Sequence, residues 1–197
     1  MLNTKFSPWP SFTEEEAETI KNILLSNKVN YWTGIECRHF EQEFASWTGS
    51  EFAVAVANGT LALDLALKAL DVGIGDEVIT TSRTFLASAS SIVTAGATPV
   101  FADVDLNSQN ITAETIGAVL TPNTKAVIVV HLAGMPADLK PIMALAKKHS
   151  FYVIEDCAQA HGAKYQGQSI GSIGHIGAWS FCQDKIISTG GEGGMLI

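Results

Sequence analysis

Residues 126–157 read AVIVVHLAGMPADLKPIMALAKKHSFYVIEDC, and this stretch decides the fold. Two short apolar runs, 126–131 and 151–157, flank a helix-like run at 138–149. Neither apolar run alternates with polar residues, the sign of a strand covered on both faces. A strand, a helix and a second strand of that kind make a parallel pair joined by a right-handed crossover.

The alternation continues outward. Strand-like runs recur at 52–57, 77–82, 98–104 and 178–182, with helix-like runs at 60–70, 85–96 and 112–120. The expected fold is α/β, a mostly parallel sheet with helices on both faces. Upstream, Thr13 and Glu16 have capping-box spacing ahead of Ile20, Ile23 and Leu24. Phe40, Phe44 and Trp47 then recur at helical spacing before a glycine stop at Gly49. The expected organisation is an N-terminal helix and connecting segment over 1–35, then one domain over 36–197. The stretch 162–177 is too rich in glycine to be a helix.

Composition narrows the class. The 197 residues are 47% hydrophobic and 16% charged, which describes a core-rich globular protein rather than a disordered chain. Net charge is −8 and the only arginines are Arg38 and Arg83, too little cation for a nucleic-acid backbone. A single phosphate held by backbone amides remains compatible with that charge. The three cysteines, Cys37, Cys157 and Cys182, show neither a disulfide framework nor zinc spacing. No apolar run approaches membrane-spanning length, and residues 1–16 lack a signal-peptide apolar core; the expected location is the cytoplasm.

In such sheets ligands sit beyond the carboxyl ends of the strands, so the residues there carry the candidates. Asn58-Gly59-Thr60 opens the helix at 60–70 and reads either as a plain N-cap or as an anion site built from free amides and a hydroxyl. Asp156 ends a run apolar enough to be a central strand. It is either a loop cap or a carboxylate aimed at a metal, a histidine or a protonated ring nitrogen. Lys185 follows an apolar strand and precedes glycines at 190, 191, 193 and 194. It reads as a solvated surface lysine or as an amine nucleophile toward a carbonyl.

Competing motifs fail on context. Gly167-Gln168-Ser169-Ile170-Gly171 fits the G-x-S-x-G pattern without the strand and helix that would expose its serine. Neither a Walker phosphate loop nor a dinucleotide fingerprint occurs, and the five histidines are scattered, which leaves a metal site unsupported. Taken jointly, a phosphate cradle, a strand-end carboxylate and a lysine are the three anchors of pyridoxal phosphate: phosphate, ring nitrogen and aldehyde. Phe85, after the second strand, is placed to stack on the ring.

The segments ANGTLALDLAL, GDEVITTSRTFLASA, GATPVFADVD, VHLAGMPADL, VIEDCAQAHGA and SFCQDKIISTGGEGGM resemble, in order, the DegT/StrS family of sugar-nucleotide aminotransferases. That resemblance implies a fold-type-I aminotransferase large domain, without the small C-terminal domain, and a chain that is a fragment or truncated product. It implies pyridoxal 5'-phosphate bound to Lys185 as a Schiff base, with Asp156 on the ring nitrogen and Gln159 beside the ring oxygen. Gly59, Thr60 and Ser180 would bind the phosphate and Phe85 would stack on the ring. The implied reaction moves an amino group from L-glutamate to a keto group of a nucleotide-linked deoxysugar, in a homodimer with shared active sites. A lysine at 185, where some relatives carry histidine and dehydrate, favours transamination. Another pyridoxal phosphate reaction, or a non-catalytic sensing or dimerisation module, are the alternatives. The resemblance also makes 193–197 an interior antiparallel strand.

Overall fold

The computed structural model describes residues 8–197; residues 1–7, part of the expected N-terminal segment, lie outside the described residues. Its strands are β1 (Val54–Val56), β2 (Glu77–Thr81), β3 (Thr98–Ala102), β4 (Thr124–Val130), β5 (Tyr152–Asp156), β6 (Lys164–Tyr165), β7 (Gln168–Ser169), β8 (Ile176–Ser180) and β9 (Gly194–Leu196). Its helices are α1 (Glu14–Leu25), α2 (Glu36–Thr48), α3 (Gly59–Ala69), α4 (Ala87–Thr94), α5 (Ala113–Gly117) and α6 (Leu139–His149).

The stretch 126–157 folds as its pattern demands. β4 and β5 run parallel in register from Ala126↔Tyr152 to Val130↔Asp156, with α6 between them in the chain. The main sheet has the order β1-β9-β8-β5-β4-β2-β3. β9 is antiparallel to both β1 and β8, so it is an interior strand of reversed direction in an otherwise parallel sheet.

Strand alternation sorts the side chains into two layers. Ala126, Ile128, Val130, Ile154 and Ala178 face Leu63, Ala66 and Leu67 of α3 and Ile92 of α4. Val127, Val129 and Val153 face Ile116 of α5 and Leu139, Ile142 and Ala146 of α6. Each fully buried Leu or Ile contributes about 1.5–3 kcal/mol by leaving water, which is why these runs contain almost no polar residue. α2 covers the β8–β9 end of the second layer, where Phe44 meets Trp179 edge-on at 5.2 Å. α1 has the expected Thr13–Glu16 capping box but buries none of its residues.

Several boundaries differ from the sequence reading. β8 ends at Ser180, two residues before the apolar run does, because Phe181 pairs with the returning loop: its amide donates to the Gly193 carbonyl at 2.7 Å, and its carbonyl accepts from the Thr189 amide at 3.2 Å. Lys185 therefore stands in a loop rather than just past a strand. α4 begins at Ala87, which leaves Phe85 in the preceding connection, and α5 closes after Gly117. The glycine-rich 162–177 stretch supplies the small β6–β7 hairpin, and Ser169 of the G-x-S-x-G match lies in that hairpin rather than on an exposed turn. Among the described residues, no helix is long and apolar enough to cross a membrane.

Candidate active site

The carboxyl ends of β4, β5 and β8, the start of α3 and the loop after β8 enclose a cleft of about 570 Å³. All seven residues singled out in the sequence line it: Gly59, Thr60, Phe85, Asp156, Gln159, Ser180 and Lys185.

One wall is the start of α3. Asn58 caps the helix, its Oδ1 accepting from the Leu61 amide at 2.8 Å. The Gly59 and Thr60 amides precede the first possible intrahelical bond and stay available to a ligand. Gly59 is required by packing: a Cβ there would stand 2.6 Å from Cβ of Ser180. Gly194 of β9 serves the same turn from the other side, since its Cβ would lie 2.5 Å from the Asn58 carbonyl. The two glycines bring a helix start, the Ser180 hydroxyl and the sheet end together.

Asp156, on the same side of the sheet as α3 and α4, is 7% exposed. Oδ2 accepts from the Ser88 hydroxyl at 2.7 Å, and Oδ1 from the Ala158 amide at 3.2 Å. Burial pushes its carboxyl above the usual range, opposed by those two bonds and by the Lys185 charge. Its oxygens accept from neutral donors, so a cation brought into the cleft would find an uncompensated carboxylate.

Lys185 places Nζ 3.0 Å from Oδ2 of Asp184, with its side chain largely covered while Asp184 is exposed. Gln159 uses its amide oxygen to accept from the Ala133 amide at 2.8 Å, which turns its NH2 group out as a donor. Phe85 is 67% exposed at the mouth, with a ring face free for a ligand.

Two features escaped the sequence reading. Ser88 lies in the first turn of α4, 68 residues before its partner Asp156, and no local motif marks it. Glu155, fully buried on the opposite face of β5, accepts from the amides of Gly171 (2.7 Å), Ile173 (2.9 Å) and Gly174 (2.5 Å) and bonds His131 Nε2 at 2.9 Å. His131 Nδ1 accepts from the Ala137 amide, so the ring is the neutral tautomer that donates from Nε2. Burial would raise the Glu155 carboxyl, but the His131 bond and the glycine amides hold it below the usual range. His131, Glu155 and Cys157 come within 4.8 Å of one another. The carboxylate's four acceptor positions are already filled by N–H donors, so the trio is a structural clamp rather than a cation site.

The reversed β9 within a parallel sheet, with helices on both faces and this cleft at the strand ends, is the large domain of a fold-type-I aminotransferase. The chain belongs to the DegT/DnrJ/EryC1/StrS aminotransferase family, whose pattern it matches over residues 10–197. It is 51% identical over 196 residues to the UDP-N-acetyl-3-dehydro-alpha-D-glucosamine 3-aminotransferase of Acidithiobacillus ferrooxidans, covering 100% of this chain and 52% of that protein. An aminotransferase from Psychrobacter cryohalolentis has 68% identity and a TM-score of 0.96, over 98% of this chain and 49% of its own. A Streptococcus pneumoniae protein described as a sugar aminotransferase, solved in a PLP form, has 32% identity and a TM-score of 0.88, over 98% and 52% of the two chains. The chain spans about half the length of the curated relatives it matches.

Proposed function

We propose that this chain is the cofactor-binding domain of a pyridoxal-5'-phosphate-dependent aminotransferase that moves an amino group from L-glutamate to a keto group of a nucleotide-linked sugar. The observation that carries the reading is the convergence on one cleft of the helix-start amides, the buried Asp156 and Lys185. Bound pyridoxal phosphate would supply an electron sink for the bond that breaks at the substrate carbon. The residues present fit it: the close contact that Gly59 permits at Ser180 leaves amides and a hydroxyl facing an anion, and Asp156 lacks a cationic hydrogen-bond partner among the described residues.

In this reading Gly59, Thr60 and Ser180 bind the phosphate, worth most in a water-poor cleft where amides need no reorientation. Asp156 holds the proton on the ring nitrogen. Gln159 donates its NH2 toward the ring oxygen, its own oxygen being tied to Ala133. Phe85 covers one ring face. Lys185, the covered amine beside Asp184, would hold the cofactor at its aldehyde and is the group placed to hold and move a proton at the reacting substrate carbon.

The division at residue 35 is supported by α1, which buries nothing, against α2, which packs into the third core cluster. The whole protein works in this reading as a cytoplasmic homodimer whose sites draw on residues from both subunits. The nucleotide-linked keto-sugar named for the Acidithiobacillus relative supports the substrate class. The test supplies L-glutamate and a UDP-linked 3-keto-sugar to the intact protein, with mass spectrometry of both products. Stoichiometric 2-oxoglutarate and aminated sugar nucleotide are expected; decarboxylation or cleavage of the amino acid instead would overturn the assignment.

A further inference from the structure

Asp156 is held by a device that nothing at the sequence level marks. Ser88, 0% exposed, bonds Oδ2 at 2.7 Å, and its own oxygen lies 2.8 Å from the Thr84 hydroxyl. Thr84 lines the cleft, whereas Ser88 stands behind Asp156 and does not. An ionised carboxylate only accepts, which fixes the direction of the chain: Thr84 donates to Ser88, and Ser88 donates to Asp156. Were Asp156 protonated, the two hydroxyls could turn round and pass the donor back toward Thr84. The orientation of the chain thus follows the charge of one buried carboxylate.

We propose that Ser88, backed by Thr84, is a positioning residue for the reaction, fixing the rotamer and charge of Asp156 so that its free acceptor positions face the cleft. With Oδ2 bonded to Ser88 and Oδ1 to the Ala158 amide, the carboxylate cannot rotate without breaking one bond. A hydroxyl that itself accepts a bond is a stronger donor, so Thr84 strengthens the grip from the cleft wall. The charged and titratable neighbours are His131, just past the end of β4, Lys185 from the loop after β8, and Glu155 and Cys157 on either side of Asp156 itself. His131 is neutral and bound to Glu155, Lys185 is bound to Asp184, and burial pushes the Cys157 thiol well up. α4 contributes the hydroxyl of Ser88. The same bond opposes the upward push of burial on the Asp156 carboxyl.

This role rests on the reading that Asp156 meets the ring nitrogen, and the test separates the two. In the cofactor-free protein, carbon-detected NMR of the side-chain carboxyls follows the Asp156 midpoint in wild type, Ser88→Ala, Ser88→Thr and Thr84→Val. The expected result is a midpoint raised by about one pH unit in Ser88→Ala, a smaller rise in Thr84→Val and near-complete rescue in Ser88→Thr. A midpoint unmoved in the Ser88→Ala protein overturns the proposal. Should Ser88→Ala fail to fold, Thr84→Val decides alone, and its unmoved midpoint has the same force. The second arm adds pyridoxal phosphate and records the absorbance–pH profile of the bound cofactor. A raised Asp156 midpoint with a shifted profile supports both statements. A raised midpoint with a profile identical to wild type keeps Ser88 as the residue that controls Asp156 but removes Asp156 from the ring.

Discussion

Asp156 and Gly59 show how far single residues determine this site. Asp156→Asn keeps the shape and can still accept from Ser88, but it loses the charge. The proposed role therefore predicts a fall in turnover on the order of a hundredfold to ten-thousandfold, with an unchanged circular dichroism spectrum. Near-normal turnover would reduce the aspartate to a loop cap. Gly59→Ala tests geometry instead. Its Cβ would overlap Ser180, which is 6% exposed with little room to retreat. Overpacking of this kind costs roughly 1–3 kcal/mol, readable as a lower melting temperature, and a weaker fluorescence-detected affinity for pyridoxal phosphate should accompany it. The aspartate and the glycine–threonine pair were legible because each sits at the end of a recognisable run, and the lysine because it stands between such a run and a glycine tract. Ser88 was not, because a serine in the first turn of a helix is ordinary and its partner is remote in sequence.

At the level of elements, the loops after β5 and β8 are where the pattern ran out. The apolar runs told which segments were strands. They could not tell that Glu155 would turn inward and bind 171–174, because backbone amides carry no side-chain signature. They also hid the environment of His161, which lies against Trp179 and Phe181 with ring centroids 5.2 and 5.6 Å apart and is 8% exposed. Burial, aided by the Lys185 charge, brings its pKa from 6.5 down to about 4. In that window the unfolded chain takes up a proton that the native state refuses, so stability falls as pH drops from 6.5 toward 4, by roughly 3 kcal/mol in full. Glu155, held below the usual carboxylate range, adds a loss at still lower pH, while Asp156, raised by burial, works in the opposite sense. His161→Phe should flatten the melting temperature between pH 6.5 and 4 without altering the other two contributions. A pH slope unchanged in that variant would show that this histidine is not the group responsible.

Across the whole molecule, the class of fold was readable from alternating strand and helix runs, but the strand order was not. Nothing in the residues 193–197 alone says that they form an interior strand; the resemblance supplied an interior antiparallel strand without naming its neighbours, and the insertion of β9 between β1 and β8, with Met195 paired antiparallel to both Ala55 and Trp179, bears that out. That insertion brings Gly194 against Asn58 and thereby ties the sheet to the α3 wall of the cleft. Sheet, helix start and β8 loop come together around Lys185, and the account stands or falls with what that amine does. The most direct measurement is borohydride reduction of the intact protein incubated with pyridoxal phosphate, followed by peptide mass mapping. The account predicts one reduced cofactor adduct, on Lys185, absent from Lys185→Ala. An unmodified Lys185 at saturating cofactor, or an adduct confined to other lysines, would contradict it.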